Sequence, residues 1–147
     1  ITKKLIEEKI ELLNKFFKEN FNFKPKIAVT GMNPHCESIL RFNEDDKIVS
    51  TAIKSQKKRG VDVKGPFPAD TVFLKKNREN FNVILGMYHD QVLAPIKALF
   101  EFDAINITMG LPFLRVTPDH GPNQSMVGKN ISNPISLINA INFLDTN

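Results

Sequence analysis

The sequence holds a single cysteine, Cys36, in 147 residues. With no partner in the chain, it excludes an internal disulfide and a cysteine-rich zinc site, and it fits a reducing compartment. No apolar run approaches the roughly 20 residues needed to cross a bilayer. The first residues form a charged amphipathic segment, not a signal sequence with a small-residue cleavage site, so a cytoplasmic location and no membrane partner are expected. The chain also lacks a GxGxxG fingerprint, which removes support for a conventional Rossmann site. It shows no internal repeat and no low-complexity segment.

What is present has the balance of a soluble globular protein: 41% hydrophobic and 24% charged residues. The net charge of +4 is scattered. Its main cluster, Lys54, Lys57, Lys58 and Arg59, falls where a helix should end, and cations there complement the helix dipole. With no aromatic-plus-basic surface or recognised module, nucleic acid is not an expected partner. An anionic, phosphorylated substrate accounts for the charge as well.

Residues 3 to 20 place Ile6, Ile10, Leu13 and Phe17 at helical spacing, which predicts an amphipathic helix with one buried face. The chain starts at Ile1 without an initiator methionine, which suggests that upstream sequence has been removed. A strand over Lys26 to Thr30 leads into the loop GMNPH, and a helix over Asp45 to Arg59 stops at Gly60, the best left-handed C-cap. GPFPADT, residues 65 to 71, leads into a short helix, and Asn82 to Met87 reads as a buried strand followed by YHDQ. A helix over Val92 to Phe100, extended pieces at Ala104 to Met109 and Pro112 to Val116, and the loop TPDHGPNQ follow. The last helix is capped by Asn133, with Pro134 in its first turn and an apolar stripe of Ile135, Leu137, Ile138, Ile141 and Leu144. Alternating strands and helices predict a layered α/β fold with a mainly parallel sheet.

All three histidines, His35, His89 and His120, fall in predicted loops. His35 and His89 each follow a strand directly, and ligands of open α/β folds gather at the carboxyl ends of strands. Two imidazoles at one edge, with Asp70 or Asp90 to orient a ring or complete a shell, suit a divalent metal. The competing reading of each histidine is a loop residue bonded to backbone.

GMNPH (31 to 35), GPFPADT (65 to 71), MYHDQ (87 to 91), NITMGLPFLR (106 to 115) and DHG (119 to 121) stand in the order and approximate spacing of the 4-hydroxythreonine-4-phosphate dehydrogenase family. From about Lys26 to its end the chain resembles that family, and five ordered motifs are far more specific than one. The resemblance implies an isocitrate/isopropylmalate-dehydrogenase-like α/β/α fold, incomplete because the N-terminal part is missing. It implies a metal, substrate and dimer-interface segment over 1–100 and a cofactor-loop segment of the second domain over 101–147. It makes His35 and His89 two of three metal-binding histidines, the third lying upstream of Ile1. Asp70 and Asp90 become acidic partners at the metal with catalytic roles, and Lys97, Asn106 and Arg115 bind substrate, Lys97 also acting in catalysis. Lysine and arginine suit the anionic groups of a phosphorylated amino acid, and Asn106 can fix its orientation.

The loop HGPNQSMVGKNISNP, residues 120 to 134, is similar to the adenine-side cofactor loop of the isocitrate and isopropylmalate dehydrogenases. That likeness implies dinucleotide contacts at His120, Gly121, Ser125, Met126 and Asn133. Two departures stand out. Ser125 replaces an acidic residue that reads the 2'-hydroxyl of NAD, which leaves NAD and NADP both open. Cys36, Glu37 and Ser38 follow His35 where relatives have a small residue, Gly and Glu, which alters the loop's backbone freedom. Cys36 beside His35 is not read as a Cys/His nucleophile, because sequence neighbours seldom face each other and no orienting third group is evident.

The implied activity is oxidation and decarboxylation of 4-hydroxythreonine 4-phosphate in vitamin B6 synthesis, using NAD or NADP and a divalent metal (Zn, Mg, Co or Mn). A homodimer with shared active sites is expected, and the chain alone is expected to be inactive. The rivals are a dehydrogenase of another phosphorylated hydroxy acid, a metal-free phosphate acyltransferase of similar fold, and a folded fragment with only a structural or interaction role.

Overall fold

The computed structural model describes residues 1–38, 42–122 and 124–146. They form two compact units, Ile1–Pro95 and Ile96–Asn147. The division follows Pro95, inside the helix His89–Phe100. Proline has no N–H, so the bond that position 95 would give to the Gln91 carbonyl is absent from the helical ladder.

The first unit opens with α1 (Lys3–Phe21), whose N-cap Thr2 accepts the Leu5 N–H at 3.2 Å. Ile6, Ile10 and Leu13 are buried as their spacing predicts, whereas Phe17 is half-buried in a cluster with Phe16, Phe21 and Phe23. Next come β1 (Ile27–Thr30), a π-helical turn at Asp45–Val49 running into α2 (Ser50–Lys58), and β2 (Val63–Phe67). α3 (Ala69–Val72), α4 (Lys75–Arg78) and β3 (Val83–Leu85) follow, and α5 (His89–Phe100) begins in this unit.

The sheet order is β2-β1-β3, and β1 is parallel to both neighbours. Every residue of β1 is buried, as a central strand covered on both faces requires. α2 packs on β2 and on α1, and Ile10, Ile27, Ile53, Val29, Val49 and Val63 are fully enclosed. Each such side chain contributes about 1.5–3 kcal/mol of burial. Gln56 donates to Glu11 at 2.8 Å and Arg59 ion-pairs with the same carboxylate, tying α2 to α1. Gly60 ends the helix at φ +83°. The helix expected over Asp45 to Arg59 is present, with its first turn widened to π geometry.

β2 bulges opposite β1 between Ala28 and Thr30. Gly65 sits there at φ +136°, and a Cβ would stand 2.4 Å from the Val29 carbonyl oxygen, so only glycine allows the two backbones to approach.

The second unit holds β4 (Ile105–Thr108), β5 (Arg115–Pro118), a 3-10 turn at Gln124–Met126 and α6 (Ile135–Thr146). β4 and β5 pair antiparallel, as a short connection allows. α6 packs on both strands. The apolar residues expected on it are present but exposed. Ser136 and Ala140 are the buried positions, while Ile135, Leu137, Ile138, Ile141 and Leu144 are each at least 42% exposed. A two-stranded ladder is narrow, and small residues let the helix backbone come close to it.

Candidate functional site

Because β1, β2 and β3 are parallel, the segments that follow them leave from one edge of the sheet. Those segments carry His35, Asp70, and His89 with Asp90.

The first is held from behind by Asp45, which is fully buried. Its Oδ1 accepts the Met32 N–H at 2.6 Å, and its Oδ2 accepts the Asn33 N–H at 3.0 Å and the Asn33 side-chain amide at 3.1 Å. Three donors on one carboxylate offset the cost of burying its charge. The loop so fixed carries His35 and Cys36 at φ 58° and 61°, a left-handed conformation that non-glycine residues seldom adopt. His35 itself is exposed.

The Cys36 thiol is pushed up, chiefly by burial and then by the field of Asp45; a backbone hydrogen bond with Gly31 opposes the shift, and Asp70 and Glu37 add smaller contributions that raise it. Such a thiol is a poor nucleophile at neutral pH. The same field places the Asp70 carboxylate, exposed in the short α3, within electrostatic reach of the His35 loop.

His89 and Asp90 were expected in a loop, but they form the first turn of α5. The reason is Gln91, whose Oε1 accepts the N–H groups of Met87 at 2.8 Å and Tyr88 at 3.2 Å. A glutamine three residues into a helix reaching back to the capping N–H is half of a capping box. The His89 Nδ1 lies 2.8 Å from Asp90 Oδ1. Donation to that carboxylate would leave Nε2 as the free lone pair, the arrangement seen behind metal-bound imidazoles. Both side chains are exposed. Among the described residues, no group of three or more His, Cys, Asp or Glu is assembled that could hold a metal ion.

The other candidates belong to the second unit. In the β4–β5 ladder Asn106 faces Thr117 and Thr108 faces Arg115. Directly opposed residues share a face, so Asn106 and Arg115 lie on one side of the ladder. Both are exposed, and the Arg115 Nη1 donates to Thr108 Oγ1 at 2.8 Å. The Lys97 ammonium pairs with Asp119 Oδ2 at 2.7 Å and also meets the Asp119 carbonyl. His120 is exposed, with Nδ1 3.3 Å from the Gly121 carbonyl oxygen. Ser125 lies in the 3-10 turn, and Met126 lines a shallow hollow with Val127, Gly128, Asn130 and Ser132. Asn133 caps α6, its Oδ1 accepting the Ile135 N–H at 3.0 Å. Position 123 of this loop lies outside the described residues.

Sequence reasoning missed three polar residues. Gln91 carried a local signal, its capping-box position. Asp45 carried none, since its acceptors' partners lie 12 and 13 residues away. Ser136 is buried and bridges the Ala104 carbonyl, at 2.6 Å, to the Asp119 N–H, at 2.9 Å; within an apolar helix pattern it had looked incidental.

Residues 1–144 match the family model described as "Pyridoxal phosphate biosynthetic protein PdxA". A 4-hydroxythreonine-4-phosphate dehydrogenase of Sulfurihydrogenibium sp. (strain YO3AOP1) is 44% identical over 144 residues, which are 96% of this chain and 44% of that protein. The crystal structure of 4-hydroxythreonine-4-phosphate dehydrogenase from Klebsiella pneumoniae superposes with a TM-score of 0.81 at 35% identity, over 97% of this chain and 44% of that one. A terephthalate 1,2-cis-dihydrodiol dehydrogenase from Burkholderia xenovorans LB400, at 23% identity and a TM-score of 0.73 over 99% of this chain and 47% of that one, shares the fold. The chain thus spans under half the length of the relatives it matches.

Proposed function

The chain belongs to the pyridoxal phosphate biosynthetic protein PdxA family, and on that premise we propose that it is part of an NAD- or NADP-dependent, divalent-metal-dependent dehydrogenase that oxidises and decarboxylates 4-hydroxythreonine 4-phosphate. The observation that carries the reading is the delivery of His35, Asp70 and the His89–Asp90 pair to one edge of a parallel sheet. His35 and His89 would hold the metal, and Asp90 orients the His89 ring. The donor set fits as part of a shell, and a further ligand is expected from the portion of the family's length that this chain does not span.

A divalent cation there would lower the pKa of the substrate hydroxyl and stabilise negative charge during decarboxylation. The chain's own residues do the rest. Asp70 and Asp90 keep carboxylates at the edge where a proton must be taken up or released. Arg115 and Asn106 present donors from one face of the β4–β5 ladder, suited to the anionic groups of a phosphorylated amino acid. Lys97 is held by Asp119, so its role in binding requires that pair to open or to orient the ammonium. The polar loop from His120 to Asn133, with exposed Val127 and Ile131 to lie against an adenine, suits a dinucleotide. Activity in a cytoplasmic homodimer with shared sites is part of the same proposal.

The test is NADH or NADPH formation from 4-hydroxythreonine 4-phosphate with a panel of divalent metals, using this chain and a version extended to its relatives' length. Turnover only in the longer protein is the expected result. No turnover in either, with metal bound, would point to another phosphorylated hydroxy acid. No turnover and no bound metal would refute the reading.

A further inference from the structure

Lys97, Asp119 and Ser136 all lie within the second unit, on α5, directly after β5 and in the first turn of α6. The Lys97 ammonium meets Asp119 twice. Its Nζ stands 2.7 Å from the carboxylate Oδ2 and also donates to the backbone carbonyl of the same residue. An ammonium has three N–H donors and no acceptor, so two are spent on Asp119 and one is left. The Lys97 side chain is 41% exposed against 18% for Asp119, which makes the lysine the open member of the pair.

Asp119 is itself fixed. Its N–H donates to Ser136 Oγ at 2.9 Å, and the same hydroxyl donates to the Ala104 carbonyl at 2.6 Å. Ser136 is buried, so neither bond has water to replace it. On the other side Pro118, with its fixed φ, is in register with Ile105 of β4. In an ordinary surface ion pair two mobile side chains lose in ordering most of what they gain in attraction. Here the fold sets both acceptors in place, and only the lysine must be ordered. Arg115, on the same ladder, is held separately by Thr108.

We propose that Asp119 is a positioning residue for Lys97: its two acceptors, anchored through the buried Ser136, keep the ammonium in one place with a single N–H left for an anionic group of the substrate. This rests on the reading that Lys97 meets the anionic substrate. The pair stays closed when the anion binds, and Asp119 acts only through the lysine. Ordering a long side chain in advance removes a cost that binding would otherwise carry, a difference of about three- to tenfold in affinity. A neutral residue in place of Asp119 would also change the charge that the anion meets, so the informative substitutions are those that keep a carboxylate.

The experiment follows the Lys97 ammonium by nitrogen–proton correlation NMR of the isotope-labelled chain in cold, slightly acidic buffer, the signal being identified by its loss in Lys97→Met. Proton exchange with water is measured first, and inorganic phosphate is then titrated in. In the unaltered chain Lys97 should exchange about tenfold or more slowly than Lys4, whose side chain is 85% exposed. Phosphate should shift its signal. Ser136→Ala leaves every charge in place, and Asp119→Glu keeps the carboxylate on a longer arm. Each should bring Lys97 exchange toward that of Lys4 and raise the phosphate midpoint about three- to tenfold. The Arg115 Nε signal should stay unchanged, and the amide signals of β4 and β5 confirm that each variant is folded. Unchanged exchange and midpoint in both variants would overturn the positioning role while leaving Lys97 as an anion ligand. Arg115 loosening together with Lys97 would overturn it as well, since the effect would then be a general one. A Lys97 signal that phosphate does not move in the unaltered chain would overturn the reading of Lys97 as a substrate contact, and the positioning role with it.

Discussion

Replacing Asp45 by Asn isolates the device that holds the His35 loop. The side chain keeps its shape but one acceptor oxygen becomes a donor. Asp45 Oδ1 serves the Met32 N–H, and Oδ2 serves the Asn33 N–H and side-chain amide. The better orientation keeps oxygen toward Asn33 and turns NH₂ toward the Met32 N–H, leaving one buried donor facing another, which costs about 1–3 kcal/mol. The two surviving bonds lose their ionic character, at about 1 kcal/mol together, and relief from burying a charge returns part of that. The expected loss is about 2–3 kcal/mol. The chain has one tyrosine, Tyr88, and no tryptophan, so tyrosine emission reports the first unit alone. Urea unfolding followed this way should show a lower midpoint with an unchanged slope. A shift worth less than about 0.5 kcal/mol would refute the argument, because it would mean that the three bonds contribute no more than water would.

Three further outcomes are expected. Gly31→Ala should cost about 1–3 kcal/mol on the same probe, since the added methyl meets Cys36 Sγ at 2.7 Å and the anchored Asp45; equal stability would show that the junction can relax. Cys36 should react with iodoacetamide more slowly in the folded chain than in urea at neutral to mildly alkaline pH, because burial and Asp45 raise its pKa. Folding favours the neutral thiol, so the stabilisation is present below the unfolded pKa and is lost as pH rises through the folded one, where the two alkylation rates should converge. Faster reaction in the folded state would reverse the sign. Ser136→Ala leaves the Asp119 N–H and Ala104 carbonyl unpaired, at about 1–3 kcal/mol, and should speed hydrogen exchange within α6 by about tenfold or more; unchanged exchange would place the hold of α6 elsewhere.

Much of this molecule was legible in sequence because the signals were local. Three-to-four spacing of Ile6, Ile10 and Leu13 marks the buried face of α1, Gly60 marks the end of α2, and Asn133 marks the start of α6. Five motifs in order carried the family, which the match over residues 1–144 shows. Strand-then-histidine order at His35, with parallel pairing, was enough to expect ligands at one sheet edge.

Tertiary structure decided what depends on groups distant in sequence. The 60-residue step from Gln91 to Gly31 and the 13-residue step from Asp45 to Met32 leave no periodic trace, because a hydrogen bond between loops has no repeat to read. The capture of Lys97 by Asp119 is of the same kind. α6 shows the converse: its sequence declares an apolar face, but periodicity records only that a face exists, and the narrow β4–β5 ladder admits Ser136 and Ala140 while leaving the larger side chains exposed. Local pattern therefore set the elements and the chemistry available, and long-range packing set which of those groups are held, and by what.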